Sequence, residues 1–299
     1  MYVMEVLNLL KYKSMKILLT LSVILFHLSI YAQNDPKLFP VNDRKVGYLG
    51  YYLKDGTNIV KPQFCSASYH MDGYYRVSKA EHEFDIHGNR TENHVPNTEK
   101  FGLLNSKGQF IIDFKNDYDY IAVDKGIIYV LKNNFYGVVN DKNQIVIPIE
   151  YSNITIEDKN RIIAEKNGKY GILNYINEII IPFDYDYISE TSPNENDNGF
   201  YAIAEINQHY TVINQDNKYL FPLTETALIA LTKKSILAEK DNKFGLVDYH
   251  LKPILPFDFE TLTIYDEKLR ATKNGYEYYY TIGGELIEKK RIPEEGVKN

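Results

Sequence analysis

A fixed repeat constrains this chain more than any other feature. Residues 169–188 read KYGILNYINEIIIPFDYDYI: an aromatic–Gly pair, two apolar residues, Asn, a turn, an apolar run closed by Pro, then Tyr. Aligned on its glycine, the unit recurs at Gly50, Gly102, Gly137, Gly171, Thr211, Gly245 and Tyr278, at intervals of 52, 35, 34, 40, 34 and 33 residues. A period near 34 with two insertions overrides the one-or-two-domain organisation that 299 residues would otherwise suggest.

The unit has a legible chemistry. Apolar pairs follow the glycine position: Leu103-Leu104, Val138-Val139, Ile172-Leu173, Val212-Ile213 and Leu246-Val247. Next comes Asn105, Asn140, Asn174, Asn214 or Asp248, and three residues later Gly108, Asn143, Asn177 or Asn217. An Asx side chain bonds backbone two residues on, and Gly or Asn tolerates positive φ, so this spacing predicts a tight turn between antiparallel strands. The second strand runs to Pro148, Pro182, Pro222 or Pro256, and Pro, lacking an N–H, is expected to end it. A third strand fills the period, as in 161–165 and 200–204. No stretch after residue 32 carries a sustained helical period. The expected fold is all-β: about seven three-stranded units in one curved array, or alternatively a closed propeller.

With its aromatic–Gly pair, Asx turn, apolar run, Pro and Tyr, the unit resembles the bacterial WG repeat over roughly residues 45–290. Phe or Tyr stands where the family has Trp, and Thr211 and Tyr278 stand where it has Gly. The resemblance implies a repeat domain with a binding role rather than a particular chemistry. It makes Gly102, Gly137, Gly171 and Gly245, with Pro148, Pro182, Pro222 and Pro256, structural positions. The recurring aromatics are better read as packing than as ligand platforms, because they are near-equivalent in every copy.

Residues 1–32 have the order of a signal peptide: Lys11, Lys13 and Lys16, then an apolar run over 17–30, then Ala32 at a plausible cleavage point. MKILLTLSVILFHLSIYAQ from Met15 is a complete leader by itself. A lead-in at 33–44, repeats at 45–290 and a tail at 291–299 follow. The protein is therefore expected to be exported, periplasmic or secreted, with no membrane span after cleavage. Cleavage removes three Lys and one Glu and makes the formal charge of −6 two units more negative, which disfavours nucleic acid as a partner. With Cys65 alone, no intrachain disulfide forms.

Two insertions interrupt the period. The first, at about 79–100, reads KAEHEFDIHGNRTENHVPNTEK and predicts a long hairpin turning at Gly88-Asn89. A two-residue turn there puts Glu83, His87 and His94 on one face and His82 on the other. Glu83, His87 and His94 are thus the candidate zinc ligands, set against a plain solvated hairpin, which has more support. The second, at 191–199, contains NENDNG with Glu205 six residues after the glycine, a calcium-loop spacing that lacks the first Asp and the flanking helices. Both insertions are expected to leave from the same side of the array. Nothing forms a nucleophile elbow or a phosphate loop. Asp184 and Asp186 are an acidic pair of the kind glycosidases use, but Asp184 and Asp258 share a repeat position, which favours a role in a turn. The reading is a non-catalytic binding or scaffolding protein without a required cofactor, meeting a protein or envelope component. A carbohydrate-binding or carbohydrate-active protein is the alternative.

Overall fold

The structure, a computed structural model, describes residues 37–43, 47–88, 90–96, 98–193, 199–265 and 268–292. The leader and Asn194–Asn198 of the calcium-like spacing lie outside the described residues. The fold is all-β, made of small antiparallel sheets, and none of them closes into a barrel. The chain divides into two compact units, Met1–Gly126 and Ile127–Asn299.

In the first unit, Phe39–Asp43, Tyr48–Tyr52 and Asn58–Phe64 form a three-stranded sheet. Ser66–Ala67, Tyr74–Lys79, Lys100–Asn105 and Phe110–Ile112 form a four-stranded one, and the strand Tyr120–Asp124 follows. The second unit opens with the meander Ile127–Lys132, Phe135–Val139 and Ile145–Tyr151. Asn153–Asp158, Arg161–Lys166, Lys169–Leu173 and Ile179–Tyr185 then make a four-stranded sheet. After an irregular sheet around Phe200–Ile206 and His209–Asn214, two more four-stranded meanders cover Ala227–Phe259 and Thr261–Arg291.

A sheet therefore has a strand more than the three expected. The extra strand is the polar stretch after the Pro-x-x-aromatic, such as Asn153–Asp158, and it belongs to the sheet that follows. A single residue separates it from the strand before: Ser152, Asp186 and Glu260 each donate their N–H to the next sheet's second strand, at Glu165 O, Glu205 O and Thr272 O. Second and third strands are joined by two-residue turns with both φ positive, at Asn133-Asn134, Asn167-Gly168, Asp241-Asn242 and Asn274-Gly275. That twist suits a tight hairpin.

The apolar pair after glycine is now explained. Neighbouring residues of a strand face opposite ways. Ile172 packs with Ile181, Tyr185, Ile188 and Phe200 on one side of its sheet, and Leu173 with Val138, Ile147 and Ile162 on the other. Each side chain so buried contributes about 1.5–3 kcal/mol. Both faces of these inner sheets are core, which is why the strands read as apolar runs rather than as alternation.

Proline does not end the strand. Tyr170 pairs with Tyr185 and Ile172 with Ile181, which leaves Pro182, Phe183 and Asp184 bulged opposite Gly171. An unpaired proline inside a bulge on an edge strand needs no N–H. The glycine is required by the same bulge: a Cβ on Gly171 would lie 2.8 Å from Ile181 O and 2.9 Å from Phe183 Cγ. Gly137 meets Ile147 O at 2.8 Å, and Gly245 meets Phe257 Cδ1 at 2.8 Å.

Candidate functional site

The first insertion begins and ends at Lys79 and Lys100, which pair with each other. It replaces the two-residue turn between the second and third strands of its sheet. The second insertion, by contrast, lies between Pro193 and Phe200, in the connection from first to second strand. Consecutive turns of a meander sit at opposite ends of the strands, so the insertions leave opposite ends of their own sheets. The two insertions thus occupy different connections of their sheets.

The hairpin register also differs from the expected one. Phe84 pairs with Arg90 and His82 with His94, with a bulge between. A two-residue turn would have set His82 opposite Val95; the one-residue shift carries it to the other face. His94 is thus beside His82, their rings edge to face with centroids 4.5 Å apart. His87 is exposed in the turn, its N–H donating to Asp85 Oδ1 at 2.9 Å, and Glu83 is exposed on the strand. The structure does not gather Glu83, His87 and His94; it gathers His94, His82 and Cys65.

Cys65 stands at the single-residue link between the first and second sheets. At the matching links, Asp186 Oδ2 accepts the N–H of Asn207 and Glu260 Oε1 accepts that of Asn274, each capping the turn after a second strand. Lys169 and this N–H hold the Asp186 carboxyl below its usual range. Cys65 does the same work at the root of the insertion: Ala80 N–H donates to Sγ at 3.3 Å. His82 Nε2 lies 3.7 Å from that sulfur. His82 Nδ1 is 3.2 Å from Thr91 O, and Tyr48 packs its ring edge to face against the imidazole. Sequence reasoning passed over Cys65 because its position becomes meaningful only once the link is known.

Asp184 and Asp258 lie in strands, not turns. Asp258 pairs with Lys273 of the next sheet, as Glu150 does with Lys166 at 2.8 Å. Asp186 is occupied by Lys169 and Asn207. These carboxylates tie sheets and links together. Glu205, the last residue of the calcium-like spacing, sits within a strand, paired with Tyr187 and Tyr210.

A second feature repeats from copy to copy. The return segment after the turn starts with Phe110, Ile145, Ile179 or Tyr219 behind an Asx turn and with Leu286 behind a Thr281 turn, opposite Leu104, Val139, Leu173, Ile213 or Tyr280. All five are between 43 and 62% exposed. In the two remaining copies the position holds Asn58 and Pro253.

Residues 136–170 and 170–208 match the family described as WG containing repeat. These units are WG repeats. The matched stretch 136–170 takes the third and fourth strands of one sheet and the first two of the next, so the WG repeat in sequence is offset by half a sheet from the repeat in space. No curated protein matches the chain. Among solved structures, it aligns with the Dos1 propeller at 9% identity and a TM-score of 0.38, covering 87% of this chain and 86% of that one. It aligns with the dihydro-heme d1 dehydrogenase NirN at 8% identity and a TM-score of 0.38, over 88% of this chain but only 65% of that one. The extracellular domain of the one-component system BT4673 from B. thetaiotaomicron aligns at 12% identity and a TM-score of 0.34, over 78% of this chain and 45% of that one. Among the described residues, no helix is long and apolar enough to cross a membrane.

Proposed function

We propose that this WG-repeat chain is an exported, non-catalytic protein whose repeated exposed positions form a binding or scaffolding surface for a protein or cell-envelope partner. Ile145, Ile179, Tyr219 and Leu286 of the second unit carry the reading, and Phe110 holds the same position within the first. Isolated exposed apolar residues are ordinary, but the same exposed position filled four times within one unit favours a built surface. Return strands such as Ile179–Tyr185 are sheet edges, and the proline bulge at their middle spoils them for strand addition. Contact through side chains is left. Export rests on the order of charges and apolar residues in 1–32.

The test uses the triple variant Ile145→Glu, Ile179→Glu, Leu286→Glu, whose positions are solvent-facing and should not alter melting. Recovery of partners from an envelope extract should fall by more than about tenfold, the scale of losing one or two interface anchors. Undiminished recovery by a normally melting triple variant would place recognition elsewhere.

A further inference from the structure

We propose that Cys65, His82 and His94 form a metal site that takes a zinc-class divalent ion through one thiolate and two neutral imidazoles, stapling the insertion hairpin to the link between the first two sheets. The ligand atoms of the three side chains all lie within 4.8 Å of one another. A tetrahedral zinc with Zn–S near 2.3 Å and Zn–N near 2.05 Å sets its sulfur and nitrogen ligands about 3.6 Å apart. Cys65 Sγ and His82 Nε2 are 3.7 Å apart, so that pair is already spaced to share an ion.

The surroundings of the pair support the same reading. With its proton on Nδ1, His82 donates to Thr91 O, and the Nε2 lone pair is left facing the sulfur. Metal-binding histidines are characteristically oriented in this way by a backbone carbonyl. The Ala80 N–H directed at Sγ, at 3.3 Å, holds the sulfur at the root of the hairpin. Tyr48 closes one side of the His82 ring. Cys65 and His82 are half-buried and fixed, whereas His94 is exposed and swings in as the third ligand. Three protein ligands leave the fourth position to water. Thiolate with imidazole suits zinc, which imposes no geometry of its own. Among the described residues, the insertion is also the one place where a link residue faces an extra hairpin instead of a two-residue turn, so the ligands come from segments this sheet brings together.

The experiment is a cobalt titration of the full chain, stripped of metal with a chelator and kept in a phosphine reductant, followed by displacement with zinc. Thiolate-to-cobalt charge-transfer absorption should appear at one equivalent and vanish on adding zinc. His94→Ala, a change at an exposed side chain, should melt normally without metal and bind cobalt more than about 100-fold more weakly, beyond the usual cost of losing an outer partner. Cys65→Ser should abolish the charge-transfer band, while His87→Ala should titrate like the parent. The proposal is overturned if the parent shows no such band, if the band survives in Cys65→Ser, or if His87→Ala weakens binding as much as His94→Ala does.

Discussion

The sheet built on Gly171 and its neighbour built on Thr211 close their last strand differently. Opposite Gly171, the return strand Ile179–Tyr185 presses Pro182, Phe183 and Asp184 against bare backbone in a three-residue bulge. Opposite Thr211 there is a side chain, and the return segment keeps only the isolated bridges Tyr210–Thr224 and Ile213–Tyr219. The threonine hydroxyl replaces the lost closeness by donating to Phe221 O at 2.7 Å. The last sheet is a third case: Tyr278 occupies the glycine position, the return strand Leu286–Arg291 holds no proline, and it pairs in register past that position with Tyr278 opposite Lys289. Glycine and proline meet in the bulge at Gly50, Gly137, Gly171 and Gly245, where one makes room and the other leaves the ladder; Gly102, with no proline, keeps only the short return strand Phe110–Ile112. Where one is gone, the bulge gives way to sparse or in-register pairing.

Valine at both positions should separate these cases most widely. Gly171→Val forces two branches against Ile181 O and the Phe183 ring and should cost about 3 kcal/mol or more, read from denaturant unfolding. Thr211→Val keeps the shape and loses one hydrogen bond, and should cost about 0.5–1.5 kcal/mol. Equal losses would show that the glycine is not there for space.

A smaller contrast concerns the turn. Asn140, Asn174 and Asn214 each accept two backbone N–H groups through Oδ1, and Asp248 does the same from His250 at 2.8 Å and Lys252 at 2.9 Å. The N–H groups of Lys252 and His250 hold the Asp248 carboxyl below its usual range. Its folded pKa is lowered, so its contribution is present above the unfolded carboxylate pKa of about 3.9 and is lost as pH falls through the folded value. Asp248→Asn should flatten this part of the acid limb of a stability–pH curve slightly, with stability near neutrality almost unchanged. An unaltered acid limb would mean the carboxylate is not used as a cap.

The same comparison shows what the amino-acid sequence could reveal. The Asx turns were legible because Asn or Asp three residues before Gly or Asn has a local mechanism, and Asn143, Asn177 and Asn217 all have positive φ. Leu251 takes the same left-handed conformation with no such signal, held by its packing on the core around Ile236 and Val247. The extra strand that opens each of these sheets was hidden because its start is marked by one ordinary residue, Ser152 or Asp186 or Glu260, instead of a turn. The proline was misread as a terminator because a bulge is a property of two strands, and only one of them carries the Pro. At the candidate site, His94 stood out by composition, whereas its partnership with His82 hinged on a one-residue bulge and that with Cys65 on the hidden link. The two-residue turns Asn167-Gly168 and Asn274-Gly275 were a usable signal, since Asn-Gly before an aromatic strand marks a tight hairpin.

Hydrogen exchange on the parent and on Gly171→Ala tests the pairing of glycine with the proline bulge most directly. The account predicts that a single methyl, placed against Ile181 O and Phe183, speeds exchange of the amides in 179–185 that bond to the glycine strand, while the sheet at Thr261–Arg291, which lacks the proline bulge, keeps its protection. If 179–185 exchanges as in the parent, the return strand does not depend on the glycine, and the central claim is wrong.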